Sequence, residues 1–363
     1  MKRPYAIALA LLCLLGLGAP AVRAADPPAP LVTITPSLIA AAEKDGEVDL
    51  QYNYQLDQMQ AIIAAFNRTY PRVKVIAERK PGAPGAYGLE QEMAAGVHRI
   101  DVFQGTDLAA NADLISKGAF AALRPPNVRD FPAGALAMAP YLYYPETVTA
   151  VVAYNPAFVT ESDAKLLTQW RGILDPRFKG KISLVEPALG VTQGVLNYIM
   201  NTPGLGTEFL TKLKAQQPNI YPNAVPARDA LVSGQKPIIW GSVWDAIAIQ
   251  DVEKGSPQRF VYTNPAIQMT GSGFGVLAKA PHPNAARLFW VWMLGRDAAQ
   301  AIQGTDSNMR SILAGEKDTR PAMQAVLKGG WYVPARTLWT PETANWIKNG
   351  PAFRAKWDQV MQQ

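Results

Sequence analysis

Apolar residues recur along this chain at two spacings. Leu56, Met59, Ile62, Ile63 and Phe66 fall three and four positions apart, which sets them on one helical face, and Pro71 lies past the end of that helix. The short apolar runs at 48–52 and 73–77 on either side of it read as strands. A helix over 89–95 stops at Gly96, a buried strand follows at 100–103, and a helix over 108–117 closes at Gly118. The β-branched run at 148–154 ends at Asn155-Pro156, a break signal. Helices at 165–174, 191–200, 207–215 and 246–253 then alternate with strands at 181–185, 237–240, 260–262 and 275–278. From Pro283 onward the pattern is mostly helical, carrying Trp290, Trp292, Trp331, Trp339, Trp346 and Trp357. Residues 25–36, rich in proline, read as an extended arm. Strands alternating with helices predict α/β layers built on largely parallel sheets.

The first 24 residues do not belong to that pattern. Met1-Lys2-Arg3 is a basic start, an apolar stretch of about a dozen residues follows, and Val22-Arg23-Ala24 ends on a small side chain. That order is a secretory signal peptide, and the stretch is too short for a bilayer-spanning helix of about 20 residues. A lipoprotein reading centred on Cys13 fits poorly, because bulky Leu12 precedes it. The expected mature chain starts at Ala25. Cleavage removes Lys2, Arg3 and Arg23 and no acid, so the net charge falls from +6 to +3, and the one cysteine is lost. Such a chain has neither a disulfide framework nor a cysteine nucleophile. Its charge is too small to argue for nucleic acid. No later apolar run is long enough to span a membrane, so the mature protein is expected to be soluble.

Several local motifs then follow one another in a particular order. Ala42-Glu43-Lys44-Asp45-Gly46-Glu47 precedes the first strand, and Ala65-Phe66, Tyr70-Pro71 and Val73-Lys74-Val75 follow its helix. Next come Ile100-Asp101-Val102-Phe103, Lys117-Gly118-Ala119-Phe120 and the strand at 151–156. The most specific is Leu174-Asp175-Pro176-Arg177-Phe178-Lys179-Gly180-Lys181-Ile182, and Gly275-Val276-Leu277-Ala278-Lys279 with Ala280-Pro281-His282-Pro283 completes the series. Over about 260 residues this order resembles the extracellular solute-binding proteins of ABC importers, in the branch containing iron(III) and polyamine binders. The resemblance implies a type II-like, two-lobed periplasmic-binding-protein fold with a ligand cleft at the hinge. Each lobe would be a mostly parallel sheet flanked by helices. Breaks near Asn155-Pro156 and Asn264-Pro265 suggest the chain crossings, giving lobe 1 as 25–152 plus 265–363 and lobe 2 as 153–264. The implied partners are a small solute and an inner-membrane ABC permease, with the receptor a periplasmic monomer that needs no cofactor.

Ligand contacts are expected where strands give way to helices, because backbone N–H groups and short polar side chains gather there. Asn53 and Tyr54 follow the first strand, and Gln104 and Thr106 follow the buried one. Glu186 and Thr192 flank the corresponding turn of the second lobe, where Thr192 near a helix start suits an anion. Each is equally able to serve as a helix cap. Trp240, Trp244 and Asp245 resemble a segment of polyamine-type members: an indole face takes a cation and a carboxylate pairs an amine. Tyr143 and Tyr144 form the tyrosine pair of iron(III) members, but displaced to a position before the hinge strand. In those members the pair lies near the position of Trp240 to Asp245, so Tyr143 is retained as a cleft-lining residue and not as a metal ligand. His98 and His282 offer no better metal set.

Catalytic signatures are thin. Ser162 and Lys165 have Ser-x-x-Lys spacing without its companion motifs, and Gly271-Ser272-Gly273-Phe274-Gly275 precedes a strand as a tight turn would. The sequence therefore predicts a non-enzymatic receptor for a small charged organic solute, an amine, polyamine or organic anion. The alternatives are an iron(III)-binding member of the same family or an exported carboxylate-based hydrolase.

Overall fold

The computed structural model describes residues 29–131, 133–187, 191–304, 310–311, 319–339 and 343–362, so the expected leader lies outside the described residues. Helix α1 (Pro36–Asp45) starts where Thr35 Oγ1 accepts the Leu38 N–H and stops at Gly46, whose φ of +83° few other residues adopt. It begins at the last residue of the proline-rich arm, where the apolar pattern predicts no element. Strand β1 (Glu47–Tyr52), helix α2 (Leu56–Thr69), strand β2 (Lys74–Arg79), helix α3 (Gly82–Ala94), strand β3 (Val102–Gly105) and helix α4 (Leu108–Ser116) follow. The α2 face carrying Met59, Ile62 and Phe66 is buried as its spacing predicts. Helix α3 begins seven residues earlier than expected, because Gly82, Pro84, Gly85 and Gly88 read as breakers. Gly85 is needed there: a Cβ would lie 2.2 Å from the Lys80 carbonyl oxygen.

The second sheet is built from strand β4 (Glu146–Tyr154), helix α5 (Glu161–Leu167), strand β5 (Ile182–Val185), helices α6 (Val191–Asn201) and α7 (Gly206–Ala215), strand β6 (Asn219–Tyr221), helix α8 (Ala224–Val232), strand β7 (Ile238–Trp244), helix α9 (Asp245–Glu253) and strands β8 (Arg259–Val261) and β9 (Ala266–Thr270). The chain then returns to the first sheet as β10 (Gly273–Val276), and helices α10 (Pro283–Met293) and α11 (Arg296–Gln303) cover it. Helices α12 (Met323–Lys328) and α13 (Thr343–Met361) complete the described chain.

The first sheet runs β10-β3-β1-β2, parallel except for antiparallel β10. In the second, β6, β5 and β7 are parallel, while β4 is antiparallel to β7, β8 and β9. All nine residues of β4 are buried, which explains why its sequence shows no alternation.

Sheet membership places the crossings differently from the sequence breaks. Asn155-Pro156 and Asn264-Pro265 both fall within second-sheet connections, whereas the chain passes between sheets just before Glu146 and again at Gly271-Ser272. A break marks the end of an element, and it carries no information about which sheet comes next. The C-terminal part of the expected first lobe also divides. Helices α10 and α11 pack on first-lobe elements, but α12 packs on α9, and α13 packs on α6 and α7 while also touching α4.

A candidate ligand site at the lobe junction

Strands β1 and β3 are parallel neighbours, so the turns after them open at one edge of the first sheet. Asn53, Tyr54 and Gln104 meet there. Gln104 Oε1 accepts the Asn53 N–H at 2.9 Å, and Asn53 Oδ1 accepts the Gly82 N–H at 3.0 Å, serving the start of α3. Half-buried Thr106 lies one step away, beside Asp107, whose Oδ1 accepts the Ala110 N–H and caps α4.

Tyr54 turns inward, 2% exposed, with its ring 5.9 Å from that of Phe274. Its hydroxyl lies beside the carboxyl of Glu146, close enough for each group to shift the other's proton affinity. Glu146 is the first residue of β4 and is wholly buried. Its Oε1 accepts the Ser272 N–H at 3.1 Å, and its backbone carbonyl accepts the Gly271 N–H at 3.0 Å. One residue therefore joins a first-lobe turn, the entry into the second sheet and the exit from it. Gly271 makes this packing possible, since a Cβ there would sit 2.6 Å from Glu146 Cγ and 2.7 Å from Oε1. The glycine-rich segment is thus a crossing between sheets, not merely a tight turn.

Four buried polar groups gather here, Tyr54 Oη, Gln104 Nε2, Glu146 Oε2 and Ser272 Oγ, and the hydrogen bonds they share with one another are poorly aligned. Poorly aligned bonds among buried groups leave part of their desolvation cost uncompensated. Burial pushes the Glu146 carboxyl up to about 7, against the opposing pull of Tyr54 and Ser272. Burial first, and Glu146 second, hold the Tyr54 phenol well above its ordinary range. Near neutral pH Tyr54 is a neutral phenol.

The second-lobe candidates have different surroundings. Trp240 is 2% exposed, with ring centroids 5.3 Å from Trp170 and 5.6 Å from Phe209. It belongs to the core, because it lies within β7, which α6 covers, and Phe209 of α7 packs on its ring. Asp245 is also engaged: Oδ1 accepts the Thr149 and Ala246 N–H groups at 3.1 and 3.0 Å, and Oδ2 lies 3.4 Å from both Arg320 Nη1 and Tyr262 Oη. An expected amine partner is therefore already held by protein. Trp244, the N-cap of α9, stays half-buried, and Thr192 is buried in the first turn of α6. Glu186 Oε2 accepts a hydrogen bond from Arg354 Nη2 of α13 at 3.1 Å.

Tyr143 is not a cleft residue. Its hydroxyl donates to the Leu123 carbonyl at 2.9 Å and its ring meets Trp290 edge-on at 5.6 Å, inside the first-lobe core. Tyr144 is likewise buried, its hydroxyl accepting from Asn111 Nδ2 at 3.3 Å. At the opposite end of β1, Glu47 and Asp49 lie within 3.8 Å of His282, whose Nδ1 is 2.9 Å from buried Asp101. That ion-pair cluster is separate from the junction.

Glu146, Ser272 and Arg320 escaped the sequence reading. An acid at the head of an otherwise apolar β-branched run was the available signal for Glu146, and a serine between two glycines was the signal for Ser272. For Arg320 there was none.

Comparison with known proteins identifies the family and the fold. The family model described as bacterial extracellular solute-binding protein matches residues 52–300. Among solved structures, iron-bound HitA from Pseudomonas aeruginosa superposes with a TM-score of 0.63 at 22% identity, covering 79% of this chain and 99% of that one. Trichodesmium FutA, in complex with iron and citrate ligands, gives 0.71 at 16%, covering 88% and 100%. The ferric binding protein from Campylobacter jejuni gives 0.69 at 14%, covering 86% and 99%. No curated protein matches by sequence. These likenesses establish the fold, a two-lobed α/β binding protein. No helix among the described residues is long and apolar enough to cross a membrane. The match covers well over half of the chain and describes a solute binder of ABC transport systems, not an enzyme: the chain belongs to the bacterial extracellular solute-binding protein family.

Proposed function

We propose that this protein captures iron(III) in the periplasm and delivers it to an inner-membrane ABC permease. The observation that carries this reading is the junction at Glu146, where both lobes meet around a cluster of buried, mostly oxygen-bearing side chains. Ligand bound at such a point bears on the angle between the lobes, so binding becomes a change of shape that a permease can sense. The junction offers mainly oxygen donors, a phenol, a carboxyl and a hydroxyl, which suit a hard cation. Three fold relatives, described as iron-bound, in complex with iron and citrate, or ferric binding, favour iron over the amine, polyamine or organic anion expected from sequence. That expectation leaned on Asp245, whose oxygens are already occupied.

Export through a leader cleaved after Ala24 and a monomeric mature chain belong to the same reading. Metal analysis of protein purified from the periplasm, paired with mass spectrometry of any released organic molecule, tests it. Near-stoichiometric iron supports the proposal. An iron-free protein carrying an organic amine, with no thermal shift on adding ferric citrate, defeats it.

A further inference from the structure

We propose that the first lobe carries a separate metal site, in which Glu47, Asp49 and His282 hold a divalent cation of the zinc(II) type and clip α10 to β1. The site lies at the opposite end of β1 from the junction and does not depend on the iron(III) reading.

Sequence alone gives His282 no metal partners, and the fold supplies them. Glu47 and Asp49 stand two residues apart in β1, so their side chains leave the same face of the strand. His282 is the N-cap of α10, which packs on β1 and brings the ring to that face. One oxygen of each carboxylate and one ring nitrogen all lie within 4.8 Å of one another. Two ligands that share a zinc ion at about 2.1 Å stand about 3.4–4.2 Å apart, according to the angle between them. The 3.8 Å from His282 Nε2 to Glu47 Oε1 falls in that range and is too long for a hydrogen bond. All three residues are half-buried, so an ion in solution can reach them.

The ring is already oriented. Wholly buried Asp101, just before β3, accepts the His282 backbone N–H through Oδ1 at 2.7 Å, and its Oδ2 lies 2.9 Å from Nδ1. An ionised carboxylate only accepts, so Nδ1 carries the proton and the lone pair of Nε2 is left for a metal. Buried carboxylates orient metal-binding imidazoles in this way. Independently, the Glu47 and Asp49 carboxylates accept no hydrogen bond and meet no lysine or arginine within ion-pair distance among the described residues. A bound cation neutralises that pair of like charges. Each ligand forms one bond to the ion, any proton on Nε2 leaves to solvent, and water takes the fourth position.

The test uses the full mature chain stripped with chelator and titrated with zinc(II) or, as a coloured probe, cobalt(II), followed by thermal unfolding and visible absorption. The wild type should gain cobalt d–d bands and an unfolding midpoint that rises with zinc concentration. Glu47→Gln and His282→Gln should each weaken cobalt binding at least about tenfold. His98→Gln, which alters the other histidine, should leave it unchanged. Circular dichroism confirms that the variants are folded. A wild type with neither bands nor a midpoint shift overturns the proposal, as do bands that persist in both Glu47→Gln and His282→Gln. Ferric citrate uptake should be the same in these variants as in the wild type; its loss would make this cluster the iron site and overturn the claim of a separate one.

Discussion

The two strand-end turns that sequence reasoning treated as equivalent differ in how their polar groups are satisfied. At the end of β7, the Asp245 carboxylate takes two backbone N–H groups and faces Arg320, and Trp240 is packed among aromatic rings. At the junction of β1, β4 and the Gly271-Ser272 crossing, four buried polar atoms have no aligned partner among the described residues. The first turn has its electrostatics completed by the fold. The second leaves its groups to share poorly aligned bonds with one another, where the chain enters the second sheet at β4 and leaves it for β10. Residue type alone therefore does not describe a turn's electrostatics: the acid beside Trp244 is held by backbone and Arg320, whereas the acid heading β4 is buried among a phenol, an amide and a hydroxyl.

The largest effects should come from the completed turn and should be structural. Trp240→Ala should lower stability by about 3–5 kcal/mol, since it empties a packed aromatic cluster. Arg320→Ala should cost a similar amount, about 3–5 kcal/mol, because it strands a buried carboxylate 5% exposed. Both are read by denaturant unfolding. Metal affinity measured on the folded fraction should stay within a few-fold of wild type; a large selective loss there would move the site to this turn.

The junction should respond in the opposite direction. The Glu146 carboxyl titrates near 7 in the folded, metal-free protein and near its ordinary value of 4.5 when unfolded. Between those values the folded state holds the extra proton, so this group makes stability fall as pH rises and reaches its full penalty above about 7. Glu146→Gln removes that term. The metal-free variant should be more stable than wild type at pH 8, by up to on the order of 3 kcal/mol, with the advantage shrinking towards pH 5. Thermal unfolding at the two pH values checks this. A pH-independent difference would mean that Glu146 is not the buried acid described here.

Gly271→Ala should be milder, about 1–3 kcal/mol destabilising, because the added methyl pushes on Glu146 Cγ and Oε1. It should also weaken metal binding by displacing that carboxyl, so a stability loss with unchanged affinity would separate the crossing from the site. Smallest of all is Arg354→Ala. Its contact with Glu186 joins two partly exposed side chains and should contribute no more than about 1 kcal/mol, with no effect on the junction.

The fold was legible in large part because its core helices and strands are periodic. The buried face of α2 and the continuous apolar run of β4 both declared themselves. What failed were elements whose local chemistry contradicts their final state. Helix α3 opens through glycines, of which Gly85 is required by its close approach to Lys80, and α1 hides beside prolines. The site was half legible. Tyr54 and Gln104 follow from the rule that ligands gather after strands, and both reach the junction. Glu146 and Ser272 lie 126 residues apart and become neighbours only when the chain crosses between sheets, so no local pattern joins them. Tyr143 misled because adjacency to another tyrosine says nothing about which way either ring faces.

The central claim is that the junction, not the turn at the end of β7, holds the ligand. A crystal of the protein loaded with ferric citrate, measured at the iron absorption edge, tests it most directly. The account predicts one strong anomalous peak between the two sheets, at the junction of β1, β4 and the Gly271-Ser272 crossing. A peak beside Trp244 and Asp245, with the junction atoms unengaged, would contradict it.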